Sequence, residues 1–174
     1  MCESANPNDP KRALRLEMRE VRRSIVADSA DRDARSHRIC DRVAAAITSA
    51  DRETPLAGRR LMVYEPLTTE PDVAALVAWA NENAVDVFVP QVDGDELRVM
   101  PGAVDPATID FIVVPGLAFM RDGTRLGQGG GHFDRFLPLL AADCLRLGVA
   151  FREQIVDDMP IEPHDVVLDL VVTD

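Results

Sequence analysis

The order of apolar patterns along the chain predicts an α/β layered domain with a mostly parallel sheet. Three observations carry that expectation. Two long segments with helical spacing open the chain, and short apolar runs then alternate with further helical segments. The run Ile109–Val114 is continuously apolar and ends at Pro115-Gly116, as a strand buried on both faces of a parallel sheet would. In such sheets ligands gather where loops leave the carboxyl ends of strands. At 174 residues, 47% apolar and 28% charged, the chain is long enough for its own core and reads as one domain, 1–174.

Residues 9–26 read as the first helix, with Asp9 as cap and Pro10 in the first turn. Leu14, Met18, Val21 and Ile25 share one face. Lys11, Arg15, Arg19 and Arg22 have the same spacing beside it, a basic stripe whose plainest explanation is a solvated face. Arg19 and Arg22 in particular are expected at the surface. Residues 29–50 form the second helix, with Ile39, Val43 and Ile47 in step. Strands are expected at Arg60–Tyr64, Val85–Pro90, Glu96–Met100, Ile109–Val114, Leu145–Phe151 and Val166–Val172. Helices are expected at Pro71–Asn83 and from about 130 to 142.

The formal charge is -11, which argues against a partner bound mainly through a nucleic-acid backbone. The charge is uneven. Residues 11–60 carry net +5 and residues 61–174 net -14, so the opening helices either meet something anionic or pair with the acidic remainder. Lys11 is the only lysine; the other basic residues are arginines. Cys2, Cys40 and Cys144 are far apart and in no Cys-x-x-Cys arrangement, which disfavours both a disulfide framework and structural zinc. The first residues hold no apolar signal region, and no apolar run nears the roughly 18 residues of a membrane span. The expectation is a cytoplasmic protein with no membrane partner, a monomer or small homo-oligomer.

The densest chemistry lies between Pro115 and Phe136, after a buried strand and before a helix. Gly127, Gly129, Gly130 and Gly131 let the backbone turn tightly and bring N–H groups near a ligand. Backbone donors of this kind suit phosphate. The loop is not a Walker A motif, which needs a lysine, nor the dinucleotide Gly-x-Gly-x-x-Gly, since His132 takes the last place. Glycines alone also suit a purely structural turn. Flanking Arg125 offers a fork for phosphate or carboxylate, and Asp134 could hold a magnesium ion that bridges phosphates.

Pro115-Gly116-Leu117-Ala118-Phe119, Gly123-x-Arg125-Leu126-Gly127, Gly129-Gly130-Gly131 and Phe133-Asp134-Arg135-Phe136-Leu137, in that order, closely resemble the signature of the 5-formyltetrahydrofolate cyclo-ligase family. Lys11-x-x-x-Arg15, Tyr64-x-Pro66-x-x-x-Glu70-x-Asp72, Gly148-Val149-Ala150-Phe151-x-x-Gln154 and Pro160-x-Glu162-Pro163-His164-Asp165 resemble further family segments, collinear over nearly the whole chain. The resemblance implies a Rossmann-like three-layer fold. It also implies an enzyme that uses ATP and Mg2+ to convert 5-formyltetrahydrofolate into 5,10-methenyltetrahydrofolate, releasing ADP and phosphate.

Residue by residue, the resemblance implies that Lys11 and Arg125 act in catalysis. Lys11, Arg15, Arg125, Leu126, Gly127, Gly129, Gly130, Gly131, His132 and Phe133 would hold ATP. Glu70 and the loop Gln128–His132 would meet the reduced folate, and Asp134 and Asp165 the metal. Plainer roles stand beside some of these. Glu70 precedes Pro71 and suits a helix start, Asp165 suits a turn cap, and His132 suits a packed ring.

The chain departs from the family pattern in three places. His132 and Phe133 stand where paired tyrosines are usual, Gln128 replaces a tyrosine or arginine, and the segment 91–108 is shorter than the family's excursion and lacks its Gly-x-x-Glu-Pro. The nucleotide loop is therefore expected to be complete and the folate side open. The alternatives are a diverged relative acting on another phosphorylated metabolite, or a non-catalytic nucleotide- or folate-binding protein.

Overall fold

Two helices lead the chain, α1 (Pro10–Ile25) and α2 (Ser29–Ala50). The computed structural model describes residues 10–50, 54–94, 96–100 and 104–174, so Cys2 and the expected cap Asp9 lie outside the described residues. Asp28 caps α2, its Oδ1 accepting from the N–H of Ala30 at 3.0 Å and of Asp31 at 3.2 Å. There follow β1 (Arg60–Met62), α3 (Ala74–Glu82), β2 (Asp86–Asp93), β3 (Glu96–Met100) and β4 (Phe111–Pro115). The chain continues with β5 (Ala118–Phe119), β6 (Arg125–Leu126), α4 (His132–Phe136), β7 (Leu145–Ala150) and β8 (Leu170–Thr173).

Among the described residues six strands form one sheet in the order β3-β2-β1-β4-β7-β8. Every neighbouring pair is parallel except β2 and β3, an antiparallel hairpin at the edge. The expected α/β class with a mostly parallel sheet is thus observed. Alternation along the strands divides the core. Leu61, Phe111, Val113 and Leu147 pack with Ile39, Val43 and Ile47 of α2 and Leu76 of α3. Met62, Ile112 and Val114 face the other way, onto Phe119, Phe136 and Leu137. Each such side chain contributes about 1.5–3 kcal/mol on full burial. A smaller cluster seats Met18 of α1 on Leu117, Leu126 and Met159, so α1 lies across the β5–β6 ribbon.

Chain order reverses between β1 and β4, whose outer neighbours β2 and β7 lie on opposite sides. That is the switch point at which loops diverge and leave a crevice at the carboxyl ends of the strands. The loop after β1 carries Glu70, and the loop after β4 begins at Gly116.

Among the element boundaries that differ from expectation, three have a clear local cause. The helix expected over 130–142 is α4 alone, followed by a 3-10 turn at Leu137–Leu139. Pro138 has no N–H to continue the ladder. The helix expected from Pro71 begins at Ala74, because the Pro71 carbonyl accepts the Tyr64 hydroxyl at 2.7 Å and Asp72 Oδ1 accepts the Ala74 N–H at 2.8 Å. The strand expected from Val166 begins at Leu170, because Leu168 first donates to the Gly123 carbonyl at 3.0 Å, away from the sheet.

Cys40 and Cys144 are buried, free thiols, and burial pushes them up to about 11 and about 12 respectively. They are inert packing groups. Among the described residues no helix is long and apolar enough to cross a membrane.

Asp174 ties β8 to α2. Its fully covered carboxylate accepts Arg35 Nε at 2.9 Å and Arg35 Nη2 at 3.0 Å, and Arg152 Nη2 at 2.8 Å. Burial pushes this carboxyl up, but the hydrogen bonds from Arg35 and Arg152 outweigh burial and hold it at about 2. A depressed folded-state value stabilises the fold above the unfolded carboxylate value near ~3.9, and that stability is lost as pH falls through about 2. Asp174→Asn is therefore expected to cost about 2 kcal/mol at pH 7 and to flatten the fall in stability between about pH 4 and pH 2, read by urea unfolding across pH. An unchanged acid limb would remove Asp174 from the acid response.

Candidate functional site

The crevice at the switch point holds a cavity of about 130 Å³, lined by Glu70 from the loop after β1, by Pro115, Gly116 and Arg125, and by the glycine loop from Gly127 to Asp134, Gly129 excepted. Val92 and Leu97, cross-strand partners in the β2–β3 hairpin, supply its remaining wall. The segment 91–108, expected to leave that side open, thus contributes an apolar wall. The cavity is smaller than the ~300 Å³ of a usual ligand pocket, so it would enclose only part of a large ligand.

Arg125 is the central cation. It is buried; Nη2 donates to Asp134 Oδ1 at 2.5 Å, Nη1 donates to the Pro115 carbonyl at 3.4 Å, and the guanidinium lies 5.6 Å from the centre of the Phe133 ring. Burial lowers its pKa against the attraction of Asp134 and, further off, Asp165, yet an arginine stays charged. Its Nε is buried with no hydrogen-bond partner. A buried donor left unsatisfied costs roughly 1–3 kcal/mol, which an acceptor reaching it would recover. Gly127 makes room for this side chain, since a Cβ there would stand 2.9 Å from Arg125 Nη1. Gly129 and Gly131 hold positive φ of 105° and 65°, which turns the loop back towards α4.

The basic stripe of α1 docks onto these loops. Lys11, 4% exposed, donates to Asp165 Oδ1 at 2.7 Å and Oδ2 at 2.6 Å and pairs with Glu162 at 2.7 Å. Burial alone would lower the Lys11 pKa, but its bonds to Asp165 and Glu162 raise it; Lys11 in turn overcomes burial to depress Asp165. Arg15 Nε donates to the Gly127 carbonyl at 3.3 Å, and Arg19 Nη2 to the Gln128 carbonyl at 3.1 Å. Arg22 corrects the expectation of a surface residue. It is 2% exposed, and Nη1 donates to Glu70 Oε1 at 3.2 Å and to the Gly116 carbonyl at 3.4 Å. Burial lowers the Arg22 pKa against the pull of Glu70.

The remaining sequence candidates divide by position. Glu70, Gly127, Gln128, Gly130, Gly131, His132, Phe133 and Asp134 line the cavity with Arg125. Lys11, Arg15, Leu126, Gly129 and Asp165 lie outside that lining. The Leu126 side chain is core, and its carbonyl accepts the Leu117 N–H at 2.7 Å. Gln154, quoted only for its motif, braces the loop after β4, its Nε2 donating to the carbonyls of Gly116 at 2.9 Å and Leu117 at 3.0 Å. Asp134 and Asp165 offer hard carboxylate oxygens of the kind magnesium takes, and both stand within the field of Arg125. Glu162, His164 and Asp165 lie within 4.8 Å of one another, and Lys11 supplies a positive charge against Glu162 and Asp165.

The chain is 30% identical over 145 residues to a 5-formyltetrahydrofolate cyclo-ligase of Mycolicibacterium smegmatis, covering 68% of this chain and 75% of that one. It belongs to the 5-formyltetrahydrofolate cyclo-ligase family. The family model itself matches residues 95–174. The cyclo-ligase of Mycoplasma pneumoniae is 29% identical over 121 residues, covering 67% of this chain and 73% of its own. The fold agrees. A solved 5,10-methenyltetrahydrofolate synthetase from Mycoplasma pneumoniae superposes with a TM-score of 0.82 at 27% identity, covering 94% of this chain and 98% of that one. The corresponding protein from Aquifex aeolicus gives 0.71 at 27% identity, covering 94% and 89%. This cyclo-ligase-family chain is therefore an enzyme with the family's α/β fold, and its resemblance in motif is matched by likeness in structure.

Proposed function

We propose that this family member uses ATP and magnesium to convert 5-formyltetrahydrofolate into 5,10-methenyltetrahydrofolate, with ADP and phosphate released. The observation that carries the reading is the crevice between β1 and β4, with Glu70 on one side and Arg125 with its glycine loop on the other. ATP phosphorylates the formyl oxygen of the folate. The folate N10 then attacks the activated carbon, and phosphate departs in place of an oxide that would not leave. Such a reaction depends mainly on positioning and charge neutralisation.

Arg125 and the loop from Leu126 to Phe133 would hold the phosphates, with Lys11 and Arg15 brought to them by α1. For Lys11 this exchanges one anionic partner for another, phosphate for the Asp165 carboxylate. Glu70, Gln128 and the loop up to His132 would face the folate. Asp134 and Asp165 would hold magnesium, which when bound neutralises charge on the phosphate oxygens. Val92 and Leu97 add an apolar surface suited to a flat ring.

Purified protein mixed with ATP, magnesium and 5-formyltetrahydrofolate is expected to show a rise in methenyl-folate absorbance that needs all three additions. No ATP-dependent rise at low or high salt overturns the reading. ATP binding with no response to the folate would point instead to a relative acting on another metabolite.

A further inference from the structure

The basic stripe of α1 serves two ends of the site. Lys11 stands against Asp165 and Glu162, while Arg22, about 17 Å further along a helix rising about 1.5 Å per residue, reaches Glu70. Arg22 and Glu70 have side chains only 3% and 5% exposed. Arg22 donates from Nη1 to Glu70 Oε1 and the Gly116 carbonyl, and from Nη2 to Thr69 Oγ1. Glu70 Oε1 also accepts Gln128 Nε2 at 3.4 Å, and Oε2 accepts the Leu67 N–H at 3.0 Å. A carboxylate has about four acceptor sites, so these three bonds leave roughly one, on Oε2, for a substrate N–H.

We propose that Arg22 is a positioning residue for the folate side of the site. It fixes Glu70 in one orientation and anchors the Gly116 carbonyl at the mouth of the loop after β4. Both groups belong to the cavity wall. The inference rests on the cyclo-ligase reading above. It assigns a role to a side chain that does not itself line the cavity and acts only through Glu70 and Gly116. A guanidinium suits the task because its planar fork holds a carboxylate, a carbonyl and a hydroxyl in fixed directions, where a lysine offers only a compact, rotatable ammonium.

The test compares Arg22→Met, Arg22→Lys, Glu70→Gln and the double variant Arg22→Met/Glu70→Gln. KM is measured separately for 5-formyltetrahydrofolate and ATP, folate binding is measured without ATP by calorimetry, and folding is checked by circular dichroism. Arg22→Met is expected to raise the folate KM and Kd by about tenfold or more while the ATP KM stays within about twofold, as loss of a charged hydrogen bond on one substrate's side would do. Arg22→Lys is expected to restore part of the folate affinity. The double variant is expected to bind folate within about threefold of Glu70→Gln alone, because Arg22 acts mainly through that carboxylate and only secondarily through the Gly116 carbonyl.

Equal losses for both substrates, or multiplying effects in the double variant, overturn the inference. If Arg22→Met does not fold, Arg22→Lys carries the test, with the same folate-selective split expected at smaller size. Wild-type turnover with no such split overturns the role of Arg22 alone, whereas absence of wild-type turnover overturns the cyclo-ligase reading beneath it.

Discussion

Arg125→Met is expected to lower kcat/KM of ATP-dependent turnover by about 10³-fold, the size seen when a preorganised cation is removed from a phosphoryl-transfer site. The argument is electrostatic first. The guanidinium is 6% exposed and fixed on three sides by Asp134, the Pro115 carbonyl and the Phe133 ring. A cation already desolvated and oriented needs little rearrangement when phosphate charge develops beside it. Removal also leaves Asp134 facing the cavity without its partner. A fully buried pair broken this way costs about 3–5 kcal/mol, and the partly exposed Asp134 side chain places the expected loss nearer ~2 kcal/mol.

Rate and stability must therefore be read together. Arg125→Lys separates them: it keeps the charge and most of the stability, but a point charge cannot hold Asp134 and phosphate with one planar fork. Its kcat/KM is expected to stay at least about tenfold down while its urea midpoint returns most of the way. Wild-type kcat/KM in folded Arg125→Met would take this residue out of the site.

How much of this was legible in the chain differs by element, for physical reasons. Helices α1 and α2 and strands β4 and β7 stand out because their apolar periods are long or unbroken, and burial enforces them. The β5–β6 ribbon reads as loop because strands of two residues carry no period. The end of α4 was visible in Pro138 but outweighed by the apolar residues beyond it. The start of β8 was not visible at all, because Val166–Leu168 is as apolar as a strand and is diverted by one bond to the Gly123 carbonyl.

The site shows the same division. The glycine loop, Arg125 and Asp134 are contiguous, so their meeting is a local property and the sequence order carries it. Arg22 is different. Charges at helical spacing on a surface helix ordinarily face water, and the reason Arg22 does not is Glu70, 48 positions away in the chain. The available signal was its register with Lys11 and Arg15, which puts Arg22 on the stripe that faces the loops. Val92 and Leu97 had no signal beyond a weak strand pattern, since only the antiparallel pairing of β2 with β3 turns them to the cavity.

Gly123→Ala is expected to be the most destabilising single-methyl change in the loop region, at about 3 kcal/mol or more. Gly123 sits in the turn between β5 and β6 with φ of 95°, and a Cβ built there would lie 2.0 Å from the Leu168 carbonyl oxygen. That neighbour is backbone and cannot rotate away. It is also held in place, because the Leu168 N–H donates to the Gly123 carbonyl at 3.0 Å, so relief of the clash breaks the bond that docks the segment before β8. Gly58→Ala is the control: its φ of 79° is equally unfavourable to alanine, but nothing lies within 4 Å of its added methyl. Gly58→Ala should therefore cost only about 1–2 kcal/mol, the price of the left-handed backbone alone. Thermal melts are expected to place Gly123→Ala at least about 2 °C below the control, since the difference of about 1–2 kcal/mol or more is worth about 2–4 °C per kcal/mol at this chain length. Equal melting points would show that backbone conformation, not the contact with Leu168, governs both. The effect should also reach the site, because Arg125 lies two residues beyond Gly123 and Asp165 three before Leu168. Parting those two segments moves Arg125 relative to the Lys11–Asp165 pair, so kcat/KM should fall even at temperatures where Gly123→Ala remains fully folded.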